Sequence, residues 1–249
     1  FYIPGTEQFD SAFNSIISKE SYAEGGSKFF DRSALYHVQG EYKFTPKIMD
    51  ITIGGNVRMY RPNSHGTIFS DTSGKKITNT EYGIYGGVEK RLLKDQLKID
   101  ATLRMDKNQN FNYLFSPAAS AVYIYKKQVF RFSFSSAIRN PTLTDQYLFY
   151  NVGRARLVGN IDGFDSLVTV NSLVDFFNTQ NKDTFKYFNV DPVRPEQVKT
   201  IEVGYRASLF KHLFVDASYY YSWYRYFIGY KLGAVIDYTA SVNRVTDFT

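Results

Sequence analysis

The sequence predicts an all-β protein, an antiparallel up-and-down transmembrane β-barrel of which this chain supplies part, about nine strands. Three observations predict it. Apolar and polar residues alternate over long stretches, those stretches run to ten residues or more, and aromatic residues make up 18% of the chain, with 22 Phe and 21 Tyr against one Trp. Alternation puts successive side chains on opposite faces of a strand. Aromatic residues favour half-buried strand surfaces and membrane interfaces.

The first strand is expected over Ala34–Phe44, with Ala34, Tyr36, Val38, Tyr42 and Phe44 on one face and His37, Gln39, Glu41 and Lys43 on the other. The second, Asp50–Met59, sets Ile51, Ile53, Val57 and Met59 against Asp50, Thr52, Asn56 and Arg58. A third is expected near Thr80–Glu89, and a fourth over Gln96–Asp106 sets Leu97, Ile99, Ala101, Leu103 and Met105 against Lys98, Asp100, Thr102, Arg104 and Asp106. The series continues near Phe115–Tyr125, Val129–Arg139, Thr200–Leu209, Leu213–Tyr226 and Val235–Val245.

Length separates a membrane barrel from a soluble sandwich. Strands of globular proteins average about five or six residues, whereas barrel strands need roughly nine to eleven. Eleven residues at ~3.4 Å each span ~37 Å, and a tilt of ~45° lowers the height to ~26 Å, close to the ~25 Å apolar band of such barrels. The expected connections alternate, short at 45–49, 91–95, 126–128 and 210–212, longer at 61–79, 107–114 and 140–199. Outer-membrane barrels have short periplasmic turns and longer extracellular loops, so the alternation implies orientation as well as order. Residues before Ser33 then fall in an outer loop. An odd strand number with two open edges cannot be satisfied in lipid, so the chain is expected to be one segment, residues 1–249, of a larger barrel domain.

No stretch approaches the roughly 18 consecutive apolar residues of a spanning helix, and the mean hydropathy of −0.33 is low. A barrel strand exposes only alternate residues to lipid, so a low average is compatible with it. The N-terminus, Phe1-Tyr2-Ile3-Pro4, has no starting Met or export signal, which predicts a processed form or an internal fragment. There is no cysteine, which excludes disulfide frameworks, Cys-based zinc sites and thiol nucleophiles. The formal charge of +6 comes from basic residues mixed with acidic ones along the same strand faces, which argues against a nucleic-acid partner. Inward-facing Lys43, Arg58, Lys98, Arg104, Arg131 and Arg206 suggest an anion pathway or, since Glu41, Glu89, Asp100, Asp106, Glu202 and Asp216 share that face, cross-strand ion pairing; the second is preferred. His37, His65 and His212 fall in a strand, an outer loop and a periplasmic turn, so no catalytic constellation is expected. Asn160–Asp165 has calcium-like oxygen donors but lacks the full loop pattern, and it reads as a turn, leaving no metal or cofactor expected.

Two segments carry a family resemblance. Phe130–Tyr147 contains a strand followed by Arg139-Asn140-Pro141-Thr142 and Tyr147, and Val193–Arg206 contains Arg194-Pro195-Glu196 followed by Glu202-Val203-Gly204-Tyr205-Arg206. Both, with the aromatic strand from Leu213 that follows, resemble signatures of TonB-dependent outer-membrane receptors. The run from Glu81-Tyr82-Gly83 to Ser120 resembles versions from Bacteroidetes. The resemblance covers most of residues 80 to 230. It implies a 22-stranded barrel of a Gram-negative outer membrane, occluded by a plug, energised through TonB and importing a nutrient, with outer-membrane lipid and in some relatives a surface lipoprotein lid as partners. Plug, TonB-contact segment and terminal strand are expected outside this sequence. A passive porin-type channel and an interaction subunit of an outer-membrane assembly remain as alternatives.

Within the motif, Pro141 removes a ladder donor and ends the strand, and Thr142 is placed to cap the following turn, so Arg139, Pro141, Thr142, Pro195 and Glu196 are expected to be structural. Asp145, Gln146, Tyr147, Arg154 and Arg156 lie in the long outer loop, where binding residues concentrate, and are the substrate-binding candidates.

Overall fold

The computed structural model describes residues 2–21, 24–153, 155–210, 213–237 and 244–248. The chain runs through α1 (Glu7–Ser18), β1 (Ala34–Phe44), β2 (Asp50–Arg61), β3 (Asn79–Leu92), β4 (Leu97–Asn108), β5 (Phe111–Tyr125) and β6 (Gln128–Arg139). A long connection follows, holding α2 (Leu143–Tyr147), β7 (Phe149–Asn151), β8 (Arg156–Val158), β9 (Phe164–Val168), α3 (Val170–Thr179) and β10 (Tyr187–Val190). The chain returns through β11 (Glu196–Leu209) and β12 (Leu213–Arg225), then β13 (Ala234–Asp237) and β14 (Arg244–Phe248).

Eight strands form one antiparallel sheet in the order β1-β2-β3-β4-β5-β6-β11-β12. Its strands of 11 to 15 residues are those the alternation predicts. Register keeps like with like: Val38 faces Val57, which faces Tyr82, and Ile99 faces Ala121, which faces Phe132 and then Val203. The apolar rows cross the whole sheet and nothing covers them: Val38 is 75% exposed, Ile84 57% and Leu103 52%. Soluble monomers rarely leave so continuous an apolar face in water.

Apart from Ala207 in β11, the buried apolar residues among those described lie elsewhere. Val168, Leu173 and Ala234 form a small cluster with Phe185 and Ile236 against it, inside a second sheet of order β10-β9-β13-β14 and its helix α3. Among the described residues, the main sheet therefore carries no core cluster on its apolar side. No helix among the described residues is long and apolar enough to cross a membrane, which says nothing about crossing by strands.

Three expectations are corrected. The described parts of Val235–Val245 do not continue the main sheet; β13 pairs with β14 on one side and with β9 on the other, so among the described residues the main sheet has eight strands instead of nine. The connection expected at 107–114 is a two-residue turn at 109–110, because β4 and β5 pair on to Asn108 and Phe111, with Asn108 Oδ1 accepting from the Asn110 N–H at 2.8 Å. The long connections are structured: α1 occupies the segment before Ser33, its N-terminus capped by Thr6, and two helices and four short strands occupy the segment between β6 and β11.

Candidate functional site

At the end of the sheet that carries the long connections, the segment after β6 folds back over the polar face of β2, β3 and β4. Pro141 interrupts the ladder, and Thr142 starts α2 through a reciprocal cap. Thr142 Oγ1 accepts from the Asp145 N–H at 3.1 Å, and Asp145 Oδ2 accepts from the Thr142 N–H at 2.8 Å. The cap turns the chain so that Gln146 points inward and is buried, 1% exposed. Its Nε2 donates to the Pro141 carbonyl at 2.7 Å, and its Oε1 accepts from Asn79 Nδ2 at 3.2 Å and Asn110 Nδ2 at 2.7 Å. One amide thus ties α2 to β3 and to the β4–β5 turn.

The loop 62–78 packs against α2 from the other side. The Ser70 N–H donates to the Tyr147 carbonyl and the Phe149 N–H to the Ile68 carbonyl, each at 2.8 Å. Asp71 holds this loop in shape: its carboxylate accepts from the Ser64 N–H, the Ser64 hydroxyl and the Gly66 N–H. Burial alone pushes the Asp71 carboxyl up, but those donors outweigh it and hold the group below the ordinary carboxylate range.

Beneath this roof lies a cavity of about 680 Å³. Arg58, Arg104, Lys107 and Arg139 line it together with Glu81 and Asp106, so the lining carries an excess of positive charge. Arg104 Nε donates to both Asp106 carboxylate oxygens, at 3.0 and 2.7 Å, and its Nη2 donates to Asn56 Oδ1 at 2.7 Å. Arg139 pairs with Glu196 at 2.5 Å, and the two are register partners on β6 and β11. Glu196 also accepts from the Ile228 N–H at 2.8 Å. The two signature segments of the sequence meet at this pair, which joins adjacent strands where the long connection leaves and rejoins the sheet.

The four described substrate-binding candidates do not converge. Asp145 is engaged in the cap of α2 and lines a second cavity of about 400 Å³ between α2 and the segment after β12. Gln146 is enclosed and engaged through both its amide atoms in internal bonds. Tyr147 OH accepts from Asn110 Nδ2 at 2.5 Å. Arg156 lies in β8 over the ring of Phe149, 4.6 Å from its centroid, and Arg154 falls outside the described residues. Pro141 and Thr142 line the first cavity; Pro195 lies by a separate hollow near Arg194 and Tyr226. Sequence reasoning passed over Asn79 and Asn140, whose amides line the first cavity. The register in which Arg58 faces Glu81 and Asn56 faces Gly83 pointed there, but no local pattern marked the fold-back over it.

His37 lies in edge strand β1, and His65 stacks on Phe30 with Nδ1 3.3 Å from Glu20 Oε2. Sequence reasoning placed His212 in a turn, and it lies outside the described residues. Five of the six inward basic side chains are in ion pairs: Lys43 with Asp50, Lys98 with Glu89, Arg104 with Asp106, and Arg131 and Arg206 with Asp216.

Solved structures similar in fold are the siderophore receptor PirA from Pseudomonas aeruginosa (18% identity, TM-score 0.53, 84% of this chain and 35% of that one) and PirA from Acinetobacter baumannii (13%, 0.51, 87% and 31%). A third is the ferric enterobactin receptor PfeA from Pseudomonas aeruginosa, solved as a Q482A mutant with enterobactin (11%, 0.51, 82% and 28%). This chain spans about a third of their length. No curated protein sequence matches significantly. The family model described as "TonB dependent receptor-like, beta-barrel" matches residues 3–246, and with the antiparallel sheet and its uncovered apolar face, this chain belongs to that family.

Proposed function

We propose that the chain forms a segment of the wall of a TonB-dependent outer-membrane transporter, which captures a nutrient at its outer connections and imports it when TonB acts on a plug inside the barrel. The observation that carries this reading is the inversion of the main sheet. Its apolar rows face outward and uncovered, while its polar face is lined with ion pairs such as Arg206 with Asp216 and hydrogen bonds such as Tyr85 OH donating to Glu41 at 2.6 Å. That arrangement suits lipid outside and water inside. The outward rows make outer-membrane lipid a partner, edges β1 and β12 require further strands to close the wall, and a surface lipoprotein lid fits the Bacteroidetes variety of the family.

The test compares two arginine substitutions in the full-length protein folded into bilayers. Leu103→Arg, on the lipid face near mid-strand, is expected to destabilise the barrel by about 2–4 kcal/mol, and Thr102→Arg, on the opposite face, by much less. Equal tolerance of both would remove the membrane reading. Uptake that persists in a host lacking TonB would remove active transport and leave a passive channel.

A further inference from the structure

Five of the six inward basic side chains have a carboxylate partner, and among the described residues Arg58 has none. Its register partners are His37 and Glu81, and Glu81 Oε1 accepts instead from the side-chain amides of Asn108 at 2.7 Å and Asn140 at 3.2 Å. Arg58 Nε is enclosed and meets no acceptor. Two amide oxygens in the same cavity are enclosed without a donor, Asn79 Oδ1 and Asn140 Oδ1, and Asn79 is only 1% exposed. Buried polar groups are nearly always partnered, so three orphans around one cavity call for an occupant.

Their chemistry defines it. A guanidinium fork wants an oxyanion, and amide oxygens want hydroxyl or N–H donors. A neutral sugar leaves Arg58 without a counter-charge, and a bare oxyanion leaves both amide oxygens without donors. One molecule carrying an oxyanion beside hydroxyl groups satisfies all three. The cavity, at about 680 Å³, falls within the usual ~300–1,000 Å³ of small-molecule sites. We infer that this cavity binds a hydroxylated organic oxyanion of the sugar-acid or sugar-phosphate class, with the oxyanion on Arg58 and hydroxyls donating to Asn79 and Asn140. The inference rests on the transporter reading, for which it names the solute class.

Equilibrium binding to the purified full-length protein tests it, with galacturonate, a galactose phosphate, galactose and inorganic phosphate as probes. One of the two hydroxylated oxyanions is expected to saturate the site, and the preference between them decides carboxylate against phosphate. Galactose and inorganic phosphate are expected to bind at least about tenfold more weakly. Arg58→Gln is expected to weaken binding about ten- to a hundredfold, and Arg58→Lys less. Arg206→Gln, on the same face but already paired with Asp216, leaves binding unchanged. Folding of each variant is checked by heat-modifiable gel migration, and Asn140→Ala, expected to weaken binding severalfold, serves if Arg58→Gln does not fold. Wild-type affinity in a folded Arg58→Gln, equal binding of galactose and galacturonate, or saturation by none of the probes overturns the assignment. Because binding needs no energy source, loss of TonB-dependent uptake with binding intact overturns only the import reading.

Discussion

Replacing Gln146 by alanine removes the amide that ties α2 to the sheet, and its consequences can be worked bond by bond. The Asn79 Nδ2 loses its acceptor, and since Asn79 Oδ1 is already unpartnered, the enclosed Asn79 amide is left with no hydrogen bond at all. Asn110 Nδ2 keeps its bond to Tyr147 OH, so it suffers less. The Pro141 carbonyl loses the Gln146 Nε2 donor. One wholly orphaned buried amide costs about 1–3 kcal/mol, and the lost side-chain packing adds to it, for roughly 2–4 kcal/mol of local destabilisation. Native-state hydrogen exchange reads that directly. At ~1.4 kcal/mol per factor of ten, the Ser70 and Phe149 amides, which bridge the loop 62–78 and the segment after α2, should exchange roughly thirty- to several-hundredfold faster. Amides in the middle of β4, such as that of Thr102, should not change. Unaltered exchange at Ser70 and Phe149 in Gln146→Ala would refute the claim that this amide holds the roof in place.

Two further outcomes are expected. Gly159→Ala would set a Cβ within 2.4–2.6 Å of Tyr147 N, Gln146 C and Leu148 N, main-chain atoms that cannot rotate away, so α2 must shift and stability falls by about 2–3 kcal/mol; a neutral result in thermal unfolding counts against the close packing of β8's exit on α2. For Asp71, a depressed carboxyl stabilises the folded loop above its unfolded pKa and loses that contribution as pH falls through the folded value. A spin label at Lys76 should therefore keep its mobility from pH 7 down to about 5 and loosen only below about 4, whereas Asp71→Asn should loosen it at neutral pH. Mobility rising already between neutrality and about pH 5 would contradict the hydrogen-bonded ionised carboxylate.

How far the sequence could be read depends on which end of a strand is considered. At the short-turn end, β1 stops at Phe44, β2 begins at Asp50, β5 stops at Tyr125 and β12 begins at Leu213, as the alternation predicts. At the other end strands run past the predicted limits: β2 to Arg61, β4 to Asn108, β5 from Phe111 and β11 from Glu196. Alternation requires two different surroundings for the two faces. Where both faces meet water, pairing continues while the pattern that revealed it fades. The helices were passed over because attention to alternation hides 3.6-residue spacing, although Thr6 and Thr169 both stand as caps before apolar residues spaced for a helix. Gln146 lies in the long connection after β6, but its partner Asn79 is 67 residues away, and no local pattern encodes that contact.

The polar face also shows why its enclosed unpartnered groups, Arg131 Nε excepted, lie toward the end of the sheet that carries the long connections. Along the middle of the sheet, long side chains lie over glycine positions: Tyr85 covers Gly54, Arg104 and Asp106 cover Gly83, and Arg131 covers Gly204, each so close that a Cβ would fall 2.3–2.8 Å from them. Glycine thus lets a side chain from one strand cross its neighbour and reach a partner, as Tyr85 reaches Glu41 from β3 to β1 and Arg131 reaches Asp216 from β6 to β12. Most basic side chains along the polar face are thus paired with carboxylates. Arg58 stands one pair of residues beyond Asn56, opposite Glu81 instead of a glycine, and there the crossing pattern ends. Selectivity in such a wall is therefore expected at its outer end, where the sheet has groups still to satisfy, and a substitution such as Arg206→Gln in the paired interior should alter stability before it alters which solute is bound.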